Sequence, residues 1–335
     1  MEPFISVIIV SYNYEKFLPR ALNACVNQTF KDFEIVIVNN GSTDNTQSII
    51  DKFCLDHSDI KIVVKIVEKN IGLPHGRNVG IDAATGTYIM FNDADDWMDN
   101  NCLEELVKTA KETNADRVSC SYRRVDSENN LYRIVKYYSS MSKWLFNCLQ
   151  GSIFRKSIFV NNNIKCPLDI IEDDLYMSTL FASYTEFNIV CDNIAYNAYI
   201  NPHSTFIGSQ SSIKPLMFIE DFMIVYNKLL LKIKEKEFTG FQYLFIKLCY
   251  NCIFNDSRNY SFSTVISNYK KSRDIMRSTM PGYLKNKNLF LFGNNGDRLT
   301  GQKLTWFIST CEKLHVNYLF LLLSHFILKI INIKI

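Results

Sequence analysis

Short runs of Ile, Val and Phe alternate with longer mixed stretches over the first part of the chain. Phe4–Val10, Phe33–Val38, Ile60–Val67 and Thr87–Phe91 have strand length and are rich in Ile and Val, as expected of strands covered on both faces. Between them, Leu18–Gln28 places Leu18, Leu22 and Val26 at four-residue spacing with Pro19 near the start, which predicts a helix. Asp44–Leu55 opens with Asp44 three residues before Gln47, a spacing that predicts a helix with a capping box. Strands alternating with helices imply an α/β fold with a mostly parallel sheet flanked by helices. Ligands of such sheets bind at the carboxyl ends of the strands.

The alternation continues less regularly. Asp99–Asn114 predicts another helix, Ala115–Arg124 a strand, Leu168–Ser183 a helix that begins in an acidic triplet, and Val190–Ile200 an extended segment ending at Asn201-Pro202-His203-Ser204. Further on the pattern changes. Ile213–Phe238 and Gly240–Ile253 have helical length and few breakers, and a polar stretch over 286–301 precedes a final apolar segment. The expected organisation is an α/β domain over 1–205 and a mainly helical region over 206–335. No repeat of solenoid period interrupts it.

Composition then narrows the class. A chain of 335 residues with 47% hydrophobic residues, 12 Gly and 7 Pro is neither disordered nor of low complexity. The net charge of +3 hides a division: residues 1–205 carry 19 basic and 26 acidic side chains, whereas the remaining 130 carry 18 and 8. An acidic part suits a cation and a basic part suits an anionic partner. The ten cysteines are scattered, and Met1-Glu2-Pro3 leads into an apolar run without a basic stretch. The expectation is a cytoplasmic chain with reduced thiols. Cys249 and Cys252 lack the second ligand pair that a zinc site needs.

The residues after each predicted strand are polar. They are Ser11-Tyr12-Asn13, Asn39-Asn40-Gly41-Ser42-Thr43-Asp44, Gly72-Leu73-Pro74-His75-Gly76-Arg77-Asn78 and Asn92-Asp93-Ala94-Asp95-Asp96-Trp97. Asp93 and Asp95 on one turn suit a hard cation, Mn²⁺ or Mg²⁺, whose other ligands are phosphate oxygens. The alternative is that Asp93–Asp99 caps the following helix. Glu172-Asp173-Asp174 is a second acidic cluster, in which mutual repulsion raises a carboxyl pKa toward that of a general base. Its alternative is also a helix cap.

These motifs, in order and spacing, resemble the family 2 glycosyltransferases, which have the GT-A fold. The resemblance rests on Ser6–Asn13, Val38–Asp44, Gly76-Arg77-Asn78-Val79-Gly80 and Asp93–Asp96, and covers residues 4–205. It implies a nucleotide-diphosphate sugar across the strand ends, with a UDP-hexose or UDP-N-acetylhexosamine as donor. Tyr12 would pack on the base. Asn40 would occupy the place of an Asp that bonds the uracil edge, and an amide oxygen still accepts from N3–H. Arg77 would contact base or phosphate, with a surface ion pair as the alternative. Asp93 would meet ribose or metal, and Asp95 would be the main metal ligand. The family's Glu-Asp pair falls on Glu172-Asp173, which makes Asp173 the base of an inverting transfer. His203 reads as a loop residue.

The tail is the other distinctive stretch. Leu314–Leu328 contains no Lys, Arg, Asp or Glu, but is shorter than a spanning helix and carries His315, Asn317, Ser324 and His325. With Lys270, Lys271, Arg273, Arg277, Lys285, Lys287, Lys329 and Lys334 it fits a helix lying on an anionic membrane face. A core helix or a homo-oligomer contact is the alternative. The expected protein is an enzyme of surface-polysaccharide synthesis at the inner face of the cell membrane, with a lipid-linked saccharide acceptor and no nucleic-acid partner. A sugar-nucleotide- or saccharide-binding module with a degraded site, suggested by Asn40, is the competing class. A dinucleotide oxidoreductase is excluded, because no Gly-x-Gly-x-x-Gly follows the first strand.

Overall fold

Strands β1 (Ile5–Ser11), β2 (Phe33–Asn40), β3 (Lys61–Val67) and β4 (Tyr88–Phe91) are parallel and ordered β3-β2-β1-β4. The computed structural model describes residues 2–314 and 316, apart from 127, 139–142, 147, 169, 171, 187, 202–214, 257–260 and 290–298. β2 is buried at every position, including Glu34, Asn39 and Asn40 as well as the apolar run Ile35–Val38. Beyond β4 the sheet becomes mixed. β8 (Ser152–Arg155) is antiparallel to β4 and to β6 (Arg117–Val125), and β9 (Asn188–Tyr199) is parallel to β6. β5 (Trp97–Met98) and β7 (Leu131–Val135) add antiparallel to β9 and β6. Two antiparallel steps leave β6 pointing the same way as β4. The carboxyl ends of β1, β2, β4, β6 and β9 therefore share one edge of the sheet.

Helices cover both faces. Helices α1 (Leu18–Val26), α2 (Thr46–Asp56) and α4 (Cys102–Thr113) bury Leu22, Ile50, Phe53 and Leu106 against Ile5, Val7 and Ile9 of β1. On the other face lie α3 (Leu73–Ala83), α5 (Lys156–Asn161) and α6 (Asp173–Ser183), where Phe91, Phe154, Phe159 and Phe181 pack with ring centroids 5.0–6.3 Å apart.

Two local expectations change. Helix α2 starts at Thr46, and Asp44 Oδ1 accepts the Thr46 N–H at 3.0 Å. Gln47 instead donates to Asp51 and accepts from Asn39, so the reciprocal capping box is absent. Helix α3 was hidden by its two glycines, poor helix formers. They serve packing: a Cβ at Gly76 would lie 2.4 Å from Val10 Cγ1, and one at Gly80 would lie 2.3 Å from Ile8 Cγ2.

At the opposite edge, buried Glu34 accepts from Ser6 Oγ (2.6 Å), Thr85 N–H (2.6 Å) and Lys61 Nζ (2.7 Å). Burial opposes its charge, but these donors outweigh burial and hold its pKa below the usual carboxylate value. A carboxyl depressed in the folded state contributes stability above its unfolded pKa and loses it as pH falls through the folded one. Glu34→Gln is therefore expected to lower Tm at neutral pH and to flatten the acid side of the Tm-against-pH curve. An unchanged acid limb would contradict this role.

The chain divides into two units. The first comprises Met1–Ser139, Phe146–Asp169 and Asp173–Ser204 and holds the sheet. The second comprises Ser140–Leu145, Ile170–Glu172 and Thr205–Ile335, with helices Pro215–Leu230, Phe238–Asp256, Phe262–Thr279 and Leu299–Lys313. Within it Phe241 stacks on Tyr226 at 5.0 Å and meets Trp144 at 5.8 Å. Buried Glu312 accepts from Tyr250 and Tyr283 hydroxyls at 3.0 and 2.5 Å. All ten cysteines are free thiols, Cys249 and Cys252 included. Among the described residues no helix is long and apolar enough to cross a membrane. Almost all of the apolar tail, and His203, lie outside the described residues.

Candidate active site

The close approach of α3 to β1 that Gly76 and Gly80 permit carries Arg77 into the interior, where it is 2% exposed. Its guanidinium is not a surface ion pair. Nη1 donates to Asp173 Oδ2 at 2.7 Å and also to Asp174 Oδ1, while Nη2 donates to Asp93 Oδ1 at 3.2 Å. Gln150 Nε2 closes the ring by donating to Asp93 Oδ2 at 2.9 Å and Asp174 Oδ2 at 3.0 Å. Two acidic clusters far apart in sequence thus meet at one arginine. Burial works against the Arg77 charge, but Asp174, Asp173 and Asp93 overcome it and raise its pKa well above normal. Burial and the neighbouring carboxylates raise the Asp174 pKa, with Arg77 acting in the opposite sense.

At the end of β4 the acidic turn is held from several sides. Asp96 is 4% exposed and accepts from the Tyr196 hydroxyl and the Tyr199 N–H, both at 2.8 Å. Asp95 Oδ2 accepts from Asn201 Nδ2 at 3.0 Å. Burial first, then Asp93, raises its pKa to about 6. Arg20 donates to the Asp95 carbonyl at 2.7 Å and lies over the Trp97 ring at 3.8 Å. Helix α4 begins only at Cys102 with Asn101 at its N-cap, so these carboxylates do not cap it. Asp173 and Asp174 do stand in the first turn of α6, but their side chains are committed to Arg77.

The loops after β1 and β2 are stitched together. Asn13 Oδ1 accepts from Thr43 N–H at 2.8 Å, Asn13 N–H donates to Ser42 Oγ at 3.0 Å, and Glu15 N–H donates to Asp44 Oδ2 at 3.1 Å. Gly41 has φ +76°, and a Cβ there would sit 2.3 Å from the Lys69 carbonyl carbon, so only glycine fits. Tyr12 stands 39% exposed above this junction. Asn40, by contrast, is buried. Its Nδ2 donates to Asn70 Oδ1 (3.0 Å) and the Gly72 carbonyl (3.2 Å), and its Oδ1 accepts the Ile71 N–H (3.2 Å). A carboxylate could not make the two donations. The departure from Asp at this position therefore has a local reason, the shape of the 70–72 turn.

The Tyr12, Asn40, Arg77, Asp93, Asp95 and Asp173 positions all fall in the first unit. Glu172 belongs to the second, where its N–H donates to Asp221 Oδ2 at 2.9 Å. Gln150, Arg20, Tyr196 and Asn201 were not singled out as site residues by sequence reasoning. Gln150 and Arg20 carry no local signal. Asn201 follows an extended segment and shares the strand-end position that marked the others. Two further strand-end atoms, Ser11 Oγ and Asn92 Oδ1, are buried with no hydrogen-bond partner among the described residues.

Residues 6–166 match the family model described as glycosyl transferase family 2. The Bacillus subtilis glycosyltransferase EpsJ is 33% identical over 132 residues, 39% of this chain and 38% of that protein. A cholesterol galactosyltransferase of Borreliella burgdorferi is 27% identical over 231 residues, 62% of each. The aligned regions thus span less than two thirds of these relatives. Among solved structures, S. aureus TarS 1–349 superposes with TM-score 0.67 at 19% identity, covering 94% of this chain and 92% of that one. Its complex with UDP-GlcNAc gives 0.57 at 21% identity, covering 84% and 91%. The Pyrobaculum calidifontis mannosyltransferase PcManGT with GDP-Man and Mn²⁺ gives 0.59 at 14% identity, covering 100% and 89%. Residues 6–166 belong to glycosyl transferase family 2, and the first unit, which holds all of them but 140–145, has the GT-A fold that the strand-end motifs led us to expect.

Proposed function

We propose that this protein transfers a hexose or N-acetylhexosamine from a UDP donor to a saccharide hydroxyl, with inversion at the anomeric carbon. The observation that carries the reading is the Arg77 network, which brings Asp93 of the strand-end turn and Asp173 of α6 to one guanidinium. Donor and base positions would then be neighbours. Tyr12 covers the base, and Asn40 shapes the base site by holding the 70–72 turn while one Oδ1 lone pair stays available. The Ser11 and Asn92 oxygens, which have no hydrogen-bond partner among the described residues, are acceptors that a hydroxyl of the sugar nucleotide would satisfy. UDP-GlcNAc in the TarS complex favours a uridine donor, whereas GDP-Man in PcManGT shows that this fold also holds guanosine donors.

Asp95 suits a Mn²⁺ or Mg²⁺ ion. Its Oδ1 accepts no hydrogen bond among the described residues, and its crowded carboxyl gains from a nearby cation. Asp93, the second candidate ligand, has both oxygens bonded to Arg77 and Gln150. No three His, Cys, Asp or Glu groups among the described residues form a metal site by themselves; an ion held here by Asp95 would take its other ligands from phosphate oxygens. Such an ion, when bound, neutralises the charge of the departing diphosphate. Asp173 takes the proton of the attacking hydroxyl, with Glu172 beside it in sequence. A second reading gives the proton to Asp174, because its raised pKa and its more exposed side chain, 26% against 12%, favour it.

The acceptor is a lipid-linked saccharide of surface-polysaccharide synthesis, reached from the inner face of the cell membrane. Exposed Lys270, Lys271, Arg277, Lys285 and Lys287 of the second unit support contact with anionic headgroups, and liposome flotation of the full chain tests it. The central test is isothermal titration of UDP with Mn²⁺ into wild type and Asp95→Ala. Wild type is expected to bind UDP with Mn²⁺, and Asp95→Ala to lose about tenfold or more of that affinity. Equal affinities would remove Asp95 from the metal site. UDP-sugar hydrolysis without acceptor separates an enzyme from a binding module.

A further inference from the structure

Arg124 of β6 and Arg133 of β7 are directly opposed partners in the antiparallel ladder. Residues so placed project to the same face with Cβ atoms about 4.5–5.5 Å apart, and like charges there destabilise a sheet. Neither guanidinium has a hydrogen bond or ion pair with a described residue, whereas the adjacent Arg123 is paired with Asp99 at 2.7 Å. One charge would suffice to keep an edge strand from pairing with another chain. Two unneutralised and opposed charges are a cost without a structural return.

Their position suggests the return. Arg124 lies at the carboxyl end of β6, on the same sheet edge as the end of β4 that bears Asp93. Both arginines act electrostatically on the half-buried Tyr122, whose phenol is hydrogen-bonded to Cys148. Cys148 stands two residues before Gln150, the side chain that joins Asp93 to Asp174. Arg124 is two residues, about 7 Å, along the strand from Tyr122. Tyr122 in turn pairs across the sheet with Tyr196, the donor to Asp96. In the order β3-β2-β1-β4-β8-β6, the loops after β1 and β2 lie on one side of Asp93 and the arginine pair on the other.

We infer that Arg124 and Arg133 form a phosphate clamp for the acceptor, which therefore carries a phosphate group near the hydroxyl that is glycosylated. Two adjacent guanidinium forks match phosphate oxygens, and the bound anion removes the repulsion between them. The inference rests on the glycosyl-transfer reading, because it takes the side of Asp93 away from the β1 and β2 loops as the acceptor side. The same chemistry comes from a sugar phosphate or from a lipid headgroup.

The test is a titration of glucose 1-phosphate into the full chain, with and without saturating UDP and Mn²⁺, for wild type, Arg124→Gln/Arg133→Gln and Arg133→Glu. Wild type is expected to bind under both conditions, and both variants to bind about tenfold more weakly or worse. UDP affinity should stay within about twofold of wild type, since the pair is remote from the β1 and β2 loops. Arg133→Glu should match or exceed the wild-type Tm, because it turns a repulsive pair into an attractive one. No saturable binding to wild type, or binding that survives in both variants, overturns the clamp. A fall in Tm for Arg133→Glu with loss of UDP binding also overturns it, by making the pair structural. Failure of wild type to bind UDP sinks the donor reading instead and leaves the glucose 1-phosphate result to decide the clamp. Sedimentation with phosphatidylglycerol and phosphatidylcholine vesicles separates the two sources. Arginine-dependent binding to phosphatidylglycerol alone, without glucose 1-phosphate binding, overturns the acceptor assignment in favour of a headgroup.

Discussion

Arg77→Met is expected to cost about 3–5 kcal/mol of folding stability, the usual penalty for removing one partner of a buried ionic network. Three carboxylates converge on that guanidinium from α6 and the end of β4, and Gln150 supplies the other hydrogen bonds of the ring. Without Arg77 their charges repel in a desolvated space, and the Asp174 carboxyl loses the cation that now opposes its raised pKa, so it rises further in the folded state. Folded protein then binds more protons than unfolded protein, so the deficit of Arg77→Met shrinks as pH falls through the carboxyl range. Lys is a poor replacement, since one ammonium cannot divide its donors between α6 and β4 as a planar fork does. Chemical denaturation of Arg77→Met, Asp174→Asn and the double variant checks the coupling. A loss below about 1 kcal/mol in Arg77→Met would reduce the network to a surface-like pair.

Asp173→Asn is expected to lower transfer by about 10²–10⁴-fold, the range associated with a lost general base. UDP affinity in Mn²⁺ should change little, because Asp173 lies on α6 rather than on the β1, β2 or β4 loops. Asn retains an oxygen for Arg77 Nη1, which Asp173 now meets at 2.7 Å, so the fold is preserved while the proton acceptor is lost. Asp174→Asn is the comparator. It removes a carboxyl whose pKa burial already raises, and it should leave most of the turnover in place. The reverse outcome, with Asp174→Asn inactive and Asp173→Asn active, would move the base by one residue. Transfer assayed with a UDP-sugar, alongside titration of UDP, separates loss of chemistry from loss of binding.

Much of the architecture is legible in local patterns. β1, β2 and β4 are short apolar runs in sequence and buried strands in the structure. The Leu18, Leu22 and Val26 spacing lies within α1. Helix α3 is not legible in the sequence because its glycines are unfavourable for a helix in isolation, and only their contact with Ile8 and Val10 explains them. The capping box also failed at the tertiary level. Gln47 found partners in Asn39 and Asp51 that spacing along the chain does not show.

The same division runs through the site. The α/β class and the acidic turn at 93–96 are local properties of the chain, because strand periodicity and turn chemistry depend on near neighbours. The second acidic cluster at 172–174 is local in the same way. Arg77 becomes a buried counter-ion joining Asp93 to Asp173 and Asp174, with Gln150 completing the ring, through contacts that exist only in the folded chain. The hold of the Asn40 amide on the 70–72 turn is likewise a contact of the folded chain. Electrostatic and hydrogen-bond partners are set by distance in space. Here that distance depends on how closely α3 lies on β1 and how the sheet order aligns the strand ends.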